Sequence, residues 1–157
     1  MNFGKGIIII VNKWDLIEKD NSTFNKYLKE IKFKFSYAPY APILFVSALT
    51  GQRLENIYSL INKVKENTLR ELKTSDINRV IEESVALSQP PSDKGKKLKI
   101  YYGTQSGIEP PTFTLFVNTK ELFHFSYQRY ILNNIRKSAD FEGVRLKLNI
   151  KEKGDKI

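Results

Sequence analysis

Ile7-Ile8-Ile9-Ile10-Val11-Asn12-Lys13-Trp14-Asp15 is the stretch that decides the fold class. Five β-branched residues in a row, with no polar alternation, predict a strand buried on both faces, as in a parallel sheet covered by helices. The polar tetrapeptide follows at the strand's carboxyl end, where open α/β sheets place their ligands. A second run of the same kind, Ile43-Leu44-Phe45-Val46, ends in Ser47-Ala48-Leu49-Thr50-Gly51. Between the two runs, Ser22 or Thr23 can cap a helix carrying Phe24, Tyr27, Leu28, Ile31 and Phe35, and Pro39 and Pro42 end it. Leu54, Ile57, Tyr58, Ile61 and Val64 then mark one face of a further helix. The order strand, helix, strand, helix is half of an α/β unit, because two parallel strands cannot cover their own sheet edges. The pattern predicts a missing portion upstream and an uncovered apolar edge that favours self-association.

Polarity rises and periodicity lapses from Thr68 to Ser75, which predicts a linker. Ser75 or Asp76 can cap a helix running through Ile77, Val80 and Ile81 to Leu87, and it must stop before Pro90-Pro91. Ser92 to Lys97 reads as a polar, basic loop. Leu98 to Gln105 is expected to be a strand, Gly107 and Pro110-Pro111 a turn, and Thr112 to Asn118 a second strand able to pair with the first. Ser126 is expected to cap a helix with Tyr127, Tyr130, Ile131, Asn134 and Ile135 along one side. Val144 to Ile150 alternates strictly, giving one buried face and one polar, basic face. The carboxyl-terminal order is helix, strand, strand, helix, strand.

Composition narrows the function. The 157 residues carry 26 Lys and Arg against 17 Asp and Glu, a net +9, split as +5 up to Ser75 and +4 beyond it. The charge is therefore a broad cationic surface and not a basic tail. There is no cysteine and only one histidine, His124, which excludes disulfide scaffolds, thiolate metal sites and histidine clusters. No apolar run approaches the roughly 20 residues of a membrane span, and the expected setting is the cytoplasm. His124 has no partner recognisable in sequence and reads as structural. Tyr101, Tyr102, Phe113, Phe116, Phe123, Phe125, Tyr127 and Tyr130 could stack on bases, but most follow strand or helix periodicity and are expected to pack the core. Arg129 and Arg136 are open to local carboxylates or to phosphate.

Asn12-Lys13-Trp14-Asp15 has the Asn-Lys-x-Asp form of the guanine-specificity motif of GTPases. Guanine offers two adjacent donors, a ring N–H and an exocyclic amine, and a single carboxylate, that of Asp15, can accept both. Asn12 would serve the other base edge and neighbouring backbone, and the Lys13 stem would lie along the purine. Ser47-Ala48-Leu49 is similar to the companion loop, where the Ala48 N–H would meet the guanine carbonyl and Ser47 would brace the loop. The alternative is purely structural, with Asn12 and Asp15 capping a helix and Ser47 ending a strand.

Together with Asn78-Arg79-Val80, Leu98-Lys99-Ile100-Tyr101-Tyr102, Thr104-Gln105, Pro110-Pro111-Thr112-Phe113, Phe116-Val117-Asn118, Ser126-Tyr127-Gln128-Arg129-Tyr130, Asn133, Ile135-Arg136 and Phe141-Glu142-Gly143, these motifs resemble the double-GTPase family called Der or EngA. In that family two tandem G domains precede a KH-like domain. The resemblance implies an α/β fold, a partial P-loop-type G domain over residues 1–70, a linker at 71–75 and a KH-like α+β domain over 76–157. It implies GTP and GDP as ligands in the intact protein, with Mg²⁺ held by residues absent here, upstream G domains as partners, and a role with the large ribosomal subunit and its rRNA.

No Gly-x-x-x-x-Gly-Lys-Ser/Thr loop occurs; Gly4-Lys5-Gly6 precedes its strand, whereas a phosphate loop must follow one. Asp140-Phe141-Glu142-Gly143 fits a switch pattern but lies in the wrong order and reads as a turn. The chain alone is not expected to hydrolyse GTP, no catalytic residue is assigned, and guanine binding by a few hydrogen bonds is expected to be weak. A KH domain clamps nucleic acid with Gly-x-x-Gly, and no two glycines here stand three apart. Lys94, Lys96, Lys97, Lys99, Arg145 and Lys147 are the candidate rRNA contacts, against the alternatives of a solvated face or a non-catalytic scaffold that positions the G domains.

Overall fold

The computed structural model describes residues 4–18, 22–152 and 154; Met1 and the end of the expected KH-like span fall outside them. β1 (Ile9–Val11) is followed by a single 3-10 turn (Trp14–Leu16) and α1 (Thr23–Lys34), then β2 (Ile43–Phe45) and α2 (Glu55–Thr68). β1 and β2 pair in parallel, Ile9 beside Ile43 and Val11 beside Phe45. The strands are shorter than the apolar runs that predicted them. β1 is also not buried on both faces, since Ile10 is 45% exposed; with a single neighbouring strand, one edge of β1 has no cover among the described residues.

This half is pinned by aromatic packing. Trp14 is buried, with ring centroids 4.5 Å from Phe45 and 5.5 Å from Tyr27, and Phe24 lies 4.9 Å from Phe45. The rings bring α1 against the two strands and fix the path of the chain directly after β1.

The second half comprises α3 (Thr74–Leu87), β3 (Ser92–Asp93), β4 (Lys96–Lys97), β5 (Ile100–Gly107), β6 (Thr112–Val117), α4 (Phe125–Ser138) and β7 (Lys147–Glu152). Ser92 to Lys97 is thus a small antiparallel hairpin and not a plain loop, with Lys94 and Gly95 at its tip in left-handed conformations. The Phe125 helix starts after His124, whose backbone occupies the N-cap, and not at Ser126. β5, β6 and β7 form one sheet in that order, antiparallel then parallel.

α3 and α4 cover one face of this sheet around Ile77, Ile81, Phe113, Leu115, Ile131, Ile135 and Phe141. Gly103 lets α3 approach β5: a Cβ there would stand 2.5 Å from Leu115 and 2.6 Å from Ile81. Asn78 clamps the same peptide, donating to the Gly103 carbonyl at 3.1 Å and accepting from its N–H at 2.8 Å. Tyr127 and Tyr130 tie the helices through their hydroxyls to the Ser88 and Ser84 carbonyls, and burial pushes the Tyr127 phenol up to about 12.

The aromatic residues do not all join this core. Tyr101, Tyr102 and Phe125 are exposed; Tyr102 stacks on Phe116 across the outer sheet face at 4.4 Å, and the Arg129 guanidinium stands over Phe125. Strand periodicity places Tyr102 on the uncovered face, which is why it escapes burial.

The turn Asp140 to Gly143 joins the two halves. Its Gly143 N–H donates to the Tyr40 carbonyl at 2.7 Å, and its Gly143 carbonyl accepts from the Ile7 N–H at 2.8 Å. Gly143 has φ +77°, and a Cβ there would meet Val64 of α2 at 2.3 Å. Lys63 bridges Asp140 at 3.1 Å and Glu142 at 2.7 Å. These contacts raise the Lys63 ammonium, the Glu142 bond foremost, and the Glu142 N–H is the main cause holding Asp140 below the usual carboxylate range. Asn67, fully buried, donates to Asp140 at 3.2 Å and to the Glu142 carbonyl at 3.0 Å. Arg136 donates to the Phe141 and Val144 carbonyls and lies over the Tyr40 ring. These bonds go to backbone carbonyls and not to a carboxylate.

Candidate functional site

The two candidate loops meet at the carboxyl ends of β1 and β2. Backbone bonds set their spacing: Val46 N–H donates to the Val11 carbonyl at 2.9 Å and Trp14 N–H to the Val46 carbonyl at 3.0 Å. Lys13 adopts φ +61°, a left-handed turn that sends the chain back after β1. Asn12 stabilises that turn, its Oδ1 accepting from the Lys13 N–H at 2.7 Å and, across the two loops, from the Ala48 N–H at 3.1 Å. The Ser47 hydroxyl, fully buried, donates to Asp15 Oδ1 and accepts from the Thr50 N–H at 3.2 Å.

Asn12, Asp15, Ser47 and Ala48 are thus drawn into one cross-linked cluster. The bond to Ser47 orients the Asp15 carboxylate, and its Oδ2 makes no hydrogen bond among the described residues. Asn12 spends its oxygen on backbone and has its Nδ2 hydrogens left to offer a ligand. Lys13 and Leu49 are exposed beside this cluster, Leu49 at 85%. The Ala48 N–H, expected to face a guanine carbonyl, is directed at Asn12 instead, so a carbonyl ligand would share or replace that bond. The structural alternative of plain helix caps is not what these side chains do: Asn12 and Asp15 both reach across to the second loop.

No phosphate loop is present in the sequence. Among the described residues no group of three or more Asp, Glu or His side chains could hold a metal ion.

The candidate basic contacts do not form one patch. Lys94, Lys96, Lys97 and Lys99 are exposed on and beside the β3–β4 hairpin, level with Ile100 and Val117 at one end of the sheet. Lys147 pairs with Thr112 at the other end, about 17 Å away along the strands, and is half-buried. Arg145 lies just before it. The antiparallel turn between β5 and β6 is what separates the two groups, and only the hairpin lysines stand together.

Comparison with known proteins bears on this arrangement. Residues 71–151 match a family model described as the KH-domain-like, C-terminal part of EngA bacterial GTPase enzymes. The chain belongs to the EngA family. Proteins named GTPase Der are similar to it over nearly its whole length: 54% identity over 150 residues with that of Alkaliphilus metalliredigens, covering 96% of this chain and 34% of the relative. That of Caldicellulosiruptor saccharolyticus is 52% identical over 153 residues, covering 98% and 35%. The chain spans about a third of the length of the curated relatives it matches. An alignment of 150 residues necessarily takes in most of the half that precedes the KH-like match, where both candidate loops lie.

Sequence reasoning missed the junction between the halves. Asn67 carried a signal, being a polar residue three positions after Val64 on the apolar stripe of α2. Gln105 gave none: its side chain accepts from the Leu72 N–H and donates to the Arg70 carbonyl, both at 2.8 Å, so the expected linker is clamped to the sheet.

Proposed function

We propose that this chain supplies the guanine-reading half of a GTP site, together with a KH-like unit that contacts rRNA, in a GTPase acting in large-ribosomal-subunit assembly. Residues 1–70 would be the carboxyl-terminal half of a G domain, 71–75 the linker and 76–157 the KH-like domain. The observation that carries the reading is the cross-link of the two loops, Asp15 to Ser47 and Asn12 to Ala48. It leaves a carboxylate fixed at the carboxyl ends of parallel strands with an acceptor oxygen to spare. Asp15 accepts the ring N–H and exocyclic amine of guanine, Asn12 donates to the opposite base edge, and the Lys13 stem and Leu49 cover the base faces. GTP or GDP is then held by phosphate-binding and Mg²⁺-binding residues of upstream G-domain sequence, and hydrolysis requires them. The protein works in the cytoplasm, and the hairpin lysines Lys94, Lys96, Lys97 and Lys99, with Arg145 and Lys147 as a separate group, meet the ribosomal subunit.

The test is Asp15→Asn in the intact protein. An amide presents a donor where guanine also presents a donor, so preference should move from GTP toward xanthosine triphosphate; an unchanged preference rejects the assignment. A second reading is favoured by the hydrogen-bonded junction: the KH-like unit acts as a scaffold positioning the G domains without binding RNA. Co-sedimentation with large ribosomal subunits at about 50 and about 200 mM salt separates the two, since phosphate-driven binding falls steeply over that range and a scaffold does not bind at either.

A further inference from the structure

We propose that the cleft between the carboxyl end of α3 and the segment Lys97 to Ile100 is a pocket for one unstacked base of single-stranded RNA. The inference rests on the rRNA-contact reading above and adds the element that does the recognising. The open cleft has a volume of about 690 Å³, and its apolar lining is Val85, Ala86, Pro90, Leu98 and Ile100.

Its outer wall is built by Asn118, whose Oδ1 accepts from the Lys99 N–H at 2.8 Å and whose Nδ2 donates to the Lys97 carbonyl at 2.9 Å. The Leu98 N–H donates to the Pro91 carbonyl at 2.8 Å. Held this way, Leu98 turns into the core and is 2% exposed. Lys97 and Lys99, on either side of it, are exposed and line the same cleft. The Lys99 ammonium is steadied over the Tyr101 ring at 5.5 Å.

Charge selects the occupant. Residues 89–99 carry Lys94, Lys96, Lys97 and Lys99 against the single carboxylate of Asp93. A nucleotide has an apolar base face for the floor and a phosphate for the rim, whereas an apolar peptide side chain would leave the lysines without a counter-charge. The Gln89 carboxamide, exposed on the rim, makes no hydrogen bond among the described residues, so it is free to meet a base edge with both donor and acceptor. Asn118 is not, its amide being spent on the wall.

The experiment measures binding of the full chain to a fluorescent oligoadenylate and to a matched abasic ribose-phosphate oligomer, across about 50 to 200 mM salt. Base burial predicts that wild type binds the abasic oligomer roughly five- to a hundred-and-fifty-fold more weakly. Ala86→Trp, which fills the cleft from the last turn of α3, should bind oligoadenylate about as weakly as the abasic oligomer while keeping the wild-type salt slope. Lys97→Gln with Lys99→Gln should instead flatten that slope by about 0.7 for each phosphate that is no longer neutralised. Gln89→Ala and the abasic comparison read the same base contact without loading the fold, should Ala86→Trp not fold. Equal wild-type affinity for the two oligomers overturns the pocket, while a flattened slope in the lysine variant would leave the rRNA-contact reading standing. No binding of either oligomer by wild type overturns both. If Ala86→Trp loses affinity for intact large subunits but not for naked RNA, the cleft belongs to a protein side chain and the proposal fails.

Discussion

Asn67→Ala is the sharpest probe of how the two halves are held together. Its carboxamide makes three bonds in a fully buried position: to Asp140 at 3.2 Å, to the Glu142 carbonyl at 3.0 Å, and from Arg70 Nη2 at 2.9 Å. Each is worth about 0.5–1.5 kcal/mol net, and bonds to charged groups more, so simple addition reaches about 4 kcal/mol. Asp140 is partly exposed and keeps Lys63 and the Glu142 N–H, which returns part of that. Arg70 recovers less, because its buried Nε already has no partner among the described residues. The expected loss is about 2–3 kcal/mol, a fall of about 1–2 M in the urea midpoint for a protein of this size. Trp14, the only tryptophan, reports the first half by fluorescence, and far-ultraviolet circular dichroism reports the whole. In wild type the two transitions should coincide; in Asn67→Ala the fluorescence transition should come first. A loss below about 0.5 kcal/mol with the transitions still coincident would refute the idea that this side chain couples the halves.

Gly143→Ala should cost about 2–3 kcal/mol, from the positive φ and the 2.3 Å approach to Val64; adding Val64→Ala should recover the steric part, measured as a double-mutant cycle in urea. Gln105→Ala frees the backbone of Arg70 and Leu72, and limited trypsin digestion should then cut at Arg70 or Lys73 well before the rest of the chain, an outcome a clamp-free linker would show in wild type as well. The stability that Asp140 adds is present above the ordinary carboxylate value of about 3.9 and lost as pH falls through its depressed native value. The wild-type advantage over Asp140→Asn should therefore shrink as pH falls below that ordinary value, and an advantage that does not shrink on acidification assigns the effect to shape and not to charge.

Much of the architecture is legible without coordinates, because it depends on neighbours in sequence. The runs Ile7 to Val11 and Ile43 to Val46 announce the paired strands and the stripe Leu54 to Val64 announces α2, each at the period of its own element, although Ile7, Ile10, Tyr58 and Ile61 stay exposed. The prolines at 90 and 91 and the glycine at 143 mark ends that the chain cannot avoid. The candidate nucleotide loops are visible for the same reason, as polar residues set directly after apolar strands. What the sequence could not carry was any bond between distant polar residues. Asn12 and Ala48 are 36 positions apart, Asn67 and Glu142 75, and Lys63 and Glu142 79. Such pairs have no period, and an asparagine or lysine on a helix looks alike whether it faces water or a partner. Register had the same effect on the basic residues: the antiparallel return from β5 to β6 set Lys147 at the far end of the sheet from Lys97 and Lys99. Which charges share a surface, and which buried amide locks one half to the other, are decided only when the tertiary fold brings the strands and helices into contact.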